Sequence, residues 1–141
     1  IRLSLVGSEM CIRDRSASIT EKKILLDNMN ALRKVGVRFA LDDFGTGQSN
    51  LSYIVDMPID IVKFDRGMTN AYFDNGKGKP VMDAAMGMIQ KLKLEIVSEG
   101  IEEKEQLAKL DELGIDYIQG YYFSKPRNAA EFISFIESNN A

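Results

Sequence analysis

The chain has 141 residues, of which 45% are hydrophobic and 28% are charged, the ordinary balance of one globular domain with its own core. Its net charge of −3 argues against a nucleic-acid-binding surface, and no apolar run approaches the roughly 20 residues of a membrane-spanning helix. The sequence contains no His, which excludes His-based catalytic triads and His-ligated zinc or iron sites.

The remaining residue types restrict both the metal and the compartment. A bound metal would need carboxylate and carbonyl ligands, which favours Mg²⁺, Mn²⁺ or Ca²⁺. Cys11 is the one cysteine, so an intramolecular disulfide is excluded. We therefore expect a reducing, cytoplasmic location, and leave open a membrane anchor in an N-terminal region of a longer parent protein.

The first 15 residues, IRLSLVGSEMCIRDR, differ from the rest because they show no clear period, helix cap or turn chemistry. The stretch SLVGSEMCIRDR resembles a translated sequencing adapter. We therefore expect residues 1–15 to be non-native and residues 16–141 to form the domain. A natural N-terminal strand, LSLVG, is the alternative.

From residue 16 the chain alternates helix-like and strand-like segments. Helical spacing of apolar residues predicts helices over residues 20–36, 49–57, 81–93, 101–114 and 128–140. Apolar runs predict strands over residues 37–43, 59–65, 94–100 and 115–123, and residues 71–80 read as a polar, Gly-rich loop. The buried side of the helix over residues 81–93 is expected to contain Val81, Ala85, Met88, Ile89 and Leu92. Four successive βα units predict an α/β fold with a parallel sheet or barrel.

Polar residues recur where the predicted strands end. Strand by strand they are Asp42 with Asp43, Lys63 with Asp65, Glu99, and Gln119. The carboxyl ends of parallel strands are the usual place of an active site in α/β proteins. Because strand side chains alternate, we expect Ile61, Lys63 and Asp65 to share one face, with Val62 and Phe64 facing the helices.

Two adjacent acids are unfavourable unless a positive group lies near them. Asp42 and Asp43 can bind one divalent cation, or two with a bridging carboxylate, as in phosphoryl chemistry. Gly45, Thr46 and Gly47 would let the backbone turn tightly and approach a substrate phosphate. Two plainer interpretations stay open: the strand-end residues simply meet solvent, or DDFGTG forms an Asx-type turn.

Four segments together resemble the EAL domain family, the bacterial cyclic di-GMP phosphodiesterases of second-messenger signalling. They are LDDFGTGQSNLSYI, IDIVKFDR, IVSEGIEEKEQLAKL and GIDYIQGYYFSKP, in the family's order and approximate spacing. The resemblance implies a partial TIM-like (β/α) barrel, about four βα units of a complete one. It also implies a hydrolase that converts cyclic di-GMP to linear pGpG with Mg²⁺ or Mn²⁺ in a two-metal site.

The resemblance implies roles for individual residues as well. Asp42 and Asp43 match the metal-binding pair, and Glu99 matches an acid that is a metal ligand or general base. Lys63 matches the lysine that holds and polarises the attacking water, and Asp65 matches an acid beside the second metal's water shell. Gln119 matches the glutamine at the floor of the site.

Several parts of the family pattern are absent. The E-A-L strand with its Glu and the Asn that follows are missing, and Ile12 stands where the first Glu of the E-x-T-E-S motif would be. A complete barrel takes about 200–250 residues. We therefore expect the chain to be the C-terminal half of an EAL domain and, by itself, inactive. Gln48 replaces a more usual aromatic residue in the loop that couples the site to a dimer interface.

The partners implied are cyclic di-GMP, a second copy in a homodimer, and an upstream sensor or GGDEF domain in the parent, with no nucleic acid. Two other functions stay open. A degenerate EAL domain would bind cyclic di-GMP as a receptor without cleaving it. A half barrel could instead be an interaction module, because open strand edges and apolar surface favour self-association.

Overall fold

The computed structural model describes residues 9–11, 19–46, 51–74 and 76–139. Strands and helices alternate along these ranges. In chain order they are β1 (Glu9–Cys11), α1 (Ile19–Arg33), β2 (Arg38–Phe44), α2 (Leu51–Asp56), β3 (Ile61–Phe64), α3 (Arg66–Phe73), α4 (Gly78–Lys91), β4 (Glu95–Glu99), α5 (Lys104–Glu112), β5 (Tyr117–Gln119) and α6 (Ala129–Asn139). No helix within the described ranges has the length and apolarity that crossing a membrane requires.

The five described strands form one parallel sheet in the order β1-β2-β3-β4-β5. Each strand therefore lies beside the next strand in sequence, without a reversal of direction. This winding is that of a (β/α) barrel, whereas a doubly wound sheet reverses its order at a switch point. The predicted α/β class and partial barrel are confirmed.

The two faces of the sheet bury different residues. The face that packs on the helices carries the main core, which includes Phe39, Leu41, Val62, Phe64 and Ile96. The other face, called the inner face here, carries a small cluster of Ala40, Ile61 and Val97, with Tyr117 packed against it. The expected division within β3 is confirmed, since Val62 and Phe64 face the helices and Ile61 does not.

The sheet contains one strand more than the four predicted. Glu9–Cys11 pairs with β2 in a register that runs from Glu9 beside Arg38 to Cys11 beside Ala40. Ladder hydrogen bonds join backbone groups, so a short extended segment can pair with an open edge whatever its side chains. The pairing thus gives the position of the segment but not its origin, and the non-native origin of residues 1–15 stays a prediction.

Helix α3 was not predicted, and it takes residues 71–73 out of the expected loop. The carboxylate of Asp65 caps this helix by accepting hydrogen bonds from the backbone N–H groups of Gly67 and Met68, each 3.0 Å long. A cap satisfies N–H groups that a helix start leaves unpaired. The gain outweighs the modest helix propensity of the sequence RGMTNAYF.

The predicted buried side of helix α4 is confirmed in part. Ile89 is buried, and Ala85 and Met88 pack against the core while partly buried. Met82 and Met86 are buried as well, whereas Val81 and Leu92 are 60% and 50% exposed, so the buried side is rotated from the predicted one. Both sets of residues have helical spacing, so periodicity alone cannot choose between them. Packing of α4 on α3 and β4 makes the choice.

Strand β5 ends at Gln119, although its apolar run continues to residue 123. A Cβ atom on Gly120 would lie 2.0 Å from the main-chain oxygen of Ile101, so the two backbones are in close contact there. Tyr122 N then donates to that same oxygen over 3.0 Å. These contacts turn the chain out of the sheet.

Asp60, which precedes β3, connects the start of that strand to the start of β2 and the end of α1. It lies at the amino edge of the sheet, away from the carboxyl ends of the strands. Its carboxylate accepts hydrogen bonds from Arg33 Nη2 at 2.8 Å and from the backbone N–H of Phe39 at 2.9 Å. Asp60→Ala is expected to lower the free energy of unfolding by about 1–3 kcal/mol, because the part-buried Phe39 N–H loses its acceptor. Urea denaturation measures this change.

The control for that prediction is Asp83→Ala on α4. Asp83 pairs with Lys79 at i,i+4 over 3.2 Å, and both side chains are exposed. Its removal should change the free energy of unfolding by no more than about 0.5 kcal/mol. Equal losses in the two variants would contradict the role given to Asp60.

Candidate active site

Three predicted site residues from three neighbouring strands meet at the carboxyl edge of the sheet. Lys63 Nζ lies 3.0 Å from Asp42 Oδ1 and 2.5 Å from Glu99 Oε1. The three side chains are only 14% to 22% exposed. The positive group that adjacent carboxylates need is therefore present, and it is Lys63.

Strand periodicity explains why these side chains share one face. Each of the three lies two positions beyond a member of the inner-face cluster on its own strand. The cluster members are Ala40 on β2, Ile61 on β3 and Val97 on β4. Because alternate strand residues point the same way, the charged groups collect on the inner face where the strands end.

The pair of acids coincides with a β-bulge. The register of β2 on β3 shifts there, so that Asp42 and Asp43 together face the single Lys63. Asp43 has a φ of 55°, a left-handed conformation that Asp adopts more readily than most residues. The extra residue returns Phe44 to the helix-facing core, where its ring centroid lies 5.6 Å from that of Phe64. Both acids thus stay at the sheet edge without losing core packing.

The surroundings of Lys63 fix its charge. Partial burial lowers the pKa of its amine, but hydrogen bonds to Glu99 and Asp42 and their negative charges outweigh burial and raise the pKa above its ordinary value. Lys63 is therefore an ammonium, which donates hydrogen bonds and cannot act as a base. That charge state is the one that a water-polarising role requires.

Asp65 lies outside β3, although it was expected to continue the strand and share the face of Lys63. Both of its carboxylate oxygens accept hydrogen bonds from the first turn of α3. The strand ends at Phe64 because that capping interaction starts a helix instead. The role of Asp65 beside a metal's water shell stays a prediction.

The predicted substrate-binding residues lie around this cluster. Gly45 and Thr46 are exposed in the turn after β2, where Thr46 N and Oγ1 donate to Asp43 O over 3.3 and 2.9 Å. Gln119 is exposed at the end of β5, beside Glu99 in the strand register. Gly47 lies outside the described residues.

Sequence reasoning missed the first turn of α3, which links the strands at the site. Thr69 Oγ1 lies 3.0 Å from Ser98 Oγ, and both residues are buried. Arg66 Nη2 lies 2.8 Å from Glu102 Oε1. Two signals could have indicated these contacts: Asp65 is a typical N-cap residue, and Ser98 interrupts an apolar strand.

The donor atoms of the site suit a hard divalent cation. Asp42, Asp43 and Glu99 supply carboxylate oxygens, the ligands that Mg²⁺ and Mn²⁺ prefer. In the part of the chain that the structure describes, however, no three acidic or Cys side chains form a group that could hold a metal ion. The described residues therefore fit part of a metal site.

Sequence comparisons with known proteins point to one family. Residues 8–126 match the family model described as EAL domain. The protein named probable cyclic di-GMP phosphodiesterase PdeG, from Escherichia coli, is 39% identical over 114 residues, which cover 81% of this chain and 22% of that protein.

Solved structures give the same result. The crystal structure of an EAL domain protein from Listeria monocytogenes has a TM-score of 0.81 and 34% identity, and the match covers 92% of this chain and 51% of that one. The manganese and cyclic di-GMP complex of Klebsiella pneumoniae BlrP1 has a TM-score of 0.65 and 30% identity, covering 79% of this chain and 27% of that one. The chain thus spans about half or less of the length of these proteins. On its sequence, fold and site geometry, the chain belongs to the EAL domain family.

Proposed function

We propose that this chain is the C-terminal half of an EAL domain whose complete form hydrolyses cyclic di-GMP to linear pGpG. The observation that carries the proposal is the Lys63 ammonium held between Asp42 and Glu99. A module that only binds a nucleotide needs no water-polarising Lys among metal-type carboxylates. Stabilisation of charge that develops during phosphodiester hydrolysis does need preorganised donors of this kind.

In this proposal each residue of the cluster has a separate task. The Lys63 ammonium donates a hydrogen bond to the attacking water and orients it. The water oxygen forms a bond to phosphorus while the bond between phosphorus and the ribose oxygen breaks, and the departing ribose oxygen takes a proton from solvent to become the free hydroxyl of pGpG. Glu99, whose carboxylate lies beside the Lys63 ammonium, accepts the proton of the water. The turn of Gly45, Thr46 and Gly47 would contact the phosphate, and Gln119 would contact the substrate from the floor of the site.

Mg²⁺ or Mn²⁺ would be held by Asp42, Asp43 and Glu99 together with ligands from the other half of the barrel. Bound cations would lower the pKa of the water and neutralise the phosphate charge. The manganese complex of BlrP1 supports this class of ion for the family. Asp65 would then lie near the water shell of the second metal while its carboxylate caps α3.

The complete protein is proposed to act in the cytoplasm, with cyclic di-GMP as its ligand. Its proposed protein partners are a second EAL domain and a sensor or GGDEF domain of the parent. Family membership alone supports these partners.

The test compares two proteins in the same assay. The 141-residue chain and the intact gene product that contains residues 16–141 are each incubated with cyclic di-GMP and Mg²⁺ or Mn²⁺, and pGpG is measured by chromatography. We expect hydrolysis by the intact protein and little or none by the chain, because three carboxylates bind a metal weakly. Hydrolysis by the chain would contradict its inactivity. Tight binding without hydrolysis by the intact protein would favour the receptor function instead.

A further inference from the structure

Two hydroxyl groups are buried beside the site without a role in the proposed chemistry. Thr69 on α3 and Ser98 on β4 are both 0% exposed, and they are the polar side chains in the buried core of the described residues. Burial of a hydroxyl is unfavourable unless it is hydrogen-bonded. The 3.0 Å contact between Thr69 Oγ1 and Ser98 Oγ satisfies that need.

The number of hydroxyl hydrogens decides which of the two groups donates in this hydrogen bond. Thr69 has one hydroxyl hydrogen, and it is donated to the main-chain oxygen of Asp65 over 3.1 Å. Thr69 Oγ1 must then accept the hydrogen of Ser98. The result is a continuous hydrogen-bond chain from Ser98 through Thr69 to Asp65, in which each bond polarises the next.

The ends of this hydrogen-bond chain lie next to the ion pair. Ser98 immediately precedes Glu99, and Asp65 follows two residues after Lys63. The hydroxyl groups therefore join the side chain of Ser98 on β4 to the main chain of Asp65, one residue after β3. They lie on the helix side of the sheet, behind the 2.5 Å contact between Lys63 and Glu99. The backbone ladder between β3 and β4 runs as far as Phe64 and Ser98. The hydroxyl groups add directional hydrogen bonds at Asp65, one residue beyond that ladder, where dispersion contacts would have no preferred angle.

We propose that Thr69 is a positioning residue, which holds Glu99 against Lys63 through the buried hydroxyl of Ser98. The effect of Thr69 on catalysis rests on the proposed function. The effect of Thr69 on the ion pair between Lys63 and Glu99 does not, since that geometry exists in the 141-residue chain without substrate or metal. The experiment therefore measures the ion pair directly.

The experiment observes the Lys63 ammonium by ¹⁵N NMR in the 141-residue chain, with the signal assigned through its absence in Lys63→Met. An ammonium fixed by two carboxylates gives an ordered signal that exchanges slowly with water. We expect Thr69→Val, which keeps the shape but removes the hydroxyl, to lose that signal. We expect Thr69→Ser, which keeps the hydroxyl, to retain it.

Thermal unfolding of the same variants separates positioning from stability. Thr69→Val leaves the Ser98 hydroxyl buried without its acceptor, so it should lower the melting temperature. The double variant Thr69→Val/Ser98→Ala removes both polar groups, so it should recover stability while the Lys63 signal remains lost. This variant also keeps the test valid if Thr69→Val does not fold.

The control is Ile89→Val, a buried truncation in α4. It should lower stability and leave the Lys63 signal unchanged. A wild-type signal in the double variant, or loss of the signal in Ile89→Val, would overturn the positioning role. Absence of cyclic di-GMP hydrolysis in the intact protein would overturn only the proposed function, because the NMR readout involves no turnover.

Discussion

Glu99→Gln in the intact EAL protein is expected to remove nearly all pGpG formation, a loss of roughly 10²–10⁴-fold in kcat/KM. Gln has the size of Glu but no charge, so it can neither accept the proton of the attacking water nor pair with the Lys63 ammonium. That ammonium would keep only Asp42 as its acidic partner within the cluster described above. Chromatographic measurement of pGpG at several substrate concentrations gives kcat and KM separately.

Glu95→Gln provides a matched control on the same strand. Glu95 lies on the inner face, as Glu99 does, and its Oε2 also lies 2.5 Å from a cation, the Nη2 atom of Arg38. It stands, however, at the amino end of β4, where barrel residues support stability rather than chemistry. We expect turnover close to wild type for Glu95→Gln. Wild-type turnover in Glu99→Gln, or in Asp42→Ala, would contradict the assignment of the site.

The core of the candidate site was predictable because it depends on two simple regularities. Parallel strands end at one edge of a sheet, and alternate strand residues share a face. Asp42, Lys63 and Glu99 follow both rules, so their positions in the sequence were enough to bring them together. The winding of the barrel followed equally well from the alternation of strands and helices.

The parts that sequence reasoning missed depend on contacts between residues far apart in the chain. The bulge at Asp43 exists because Phe44 must return to a core that includes Phe64, and no local pattern shows that requirement. The choice between the two apolar stripes of α4 depends on its neighbours α3 and β4. Asp65 was placed in a strand because IDIVKFD reads as one run, whereas its carboxylate starts a helix.

Gly120→Ala is expected to lower the free energy of unfolding by about 3 kcal/mol or more, the upper range for overpacking. The new Cβ would lie 2.0 Å from Ile101 O and 2.4 Å from Ile101 N, which are backbone atoms that cannot rotate away. Ile101 is fully buried, so its displacement would disturb the core. The same movement would strain the 2.9 Å hydrogen bond from Gly100 N to Gln119 O, directly after Glu99. Urea denaturation followed by circular dichroism measures the loss.

Gly87→Ala is the matched control, and we expect it to raise the free energy of unfolding rather than lower it. Gly87 lies inside α4, and a Cβ atom there would meet nothing within 4 Å. Alanine favours a helix over glycine by about 0.8–1.0 kcal/mol, so this variant should be more stable than the wild type. The two changes add the same methyl group, at an open position of a helix in one case and against buried backbone in the other. If Gly120→Ala were as stable as the wild type, the backbone at the end of β5 would not lie in close contact with Ile101. The explanation that this contact ends β5 would then be wrong as well.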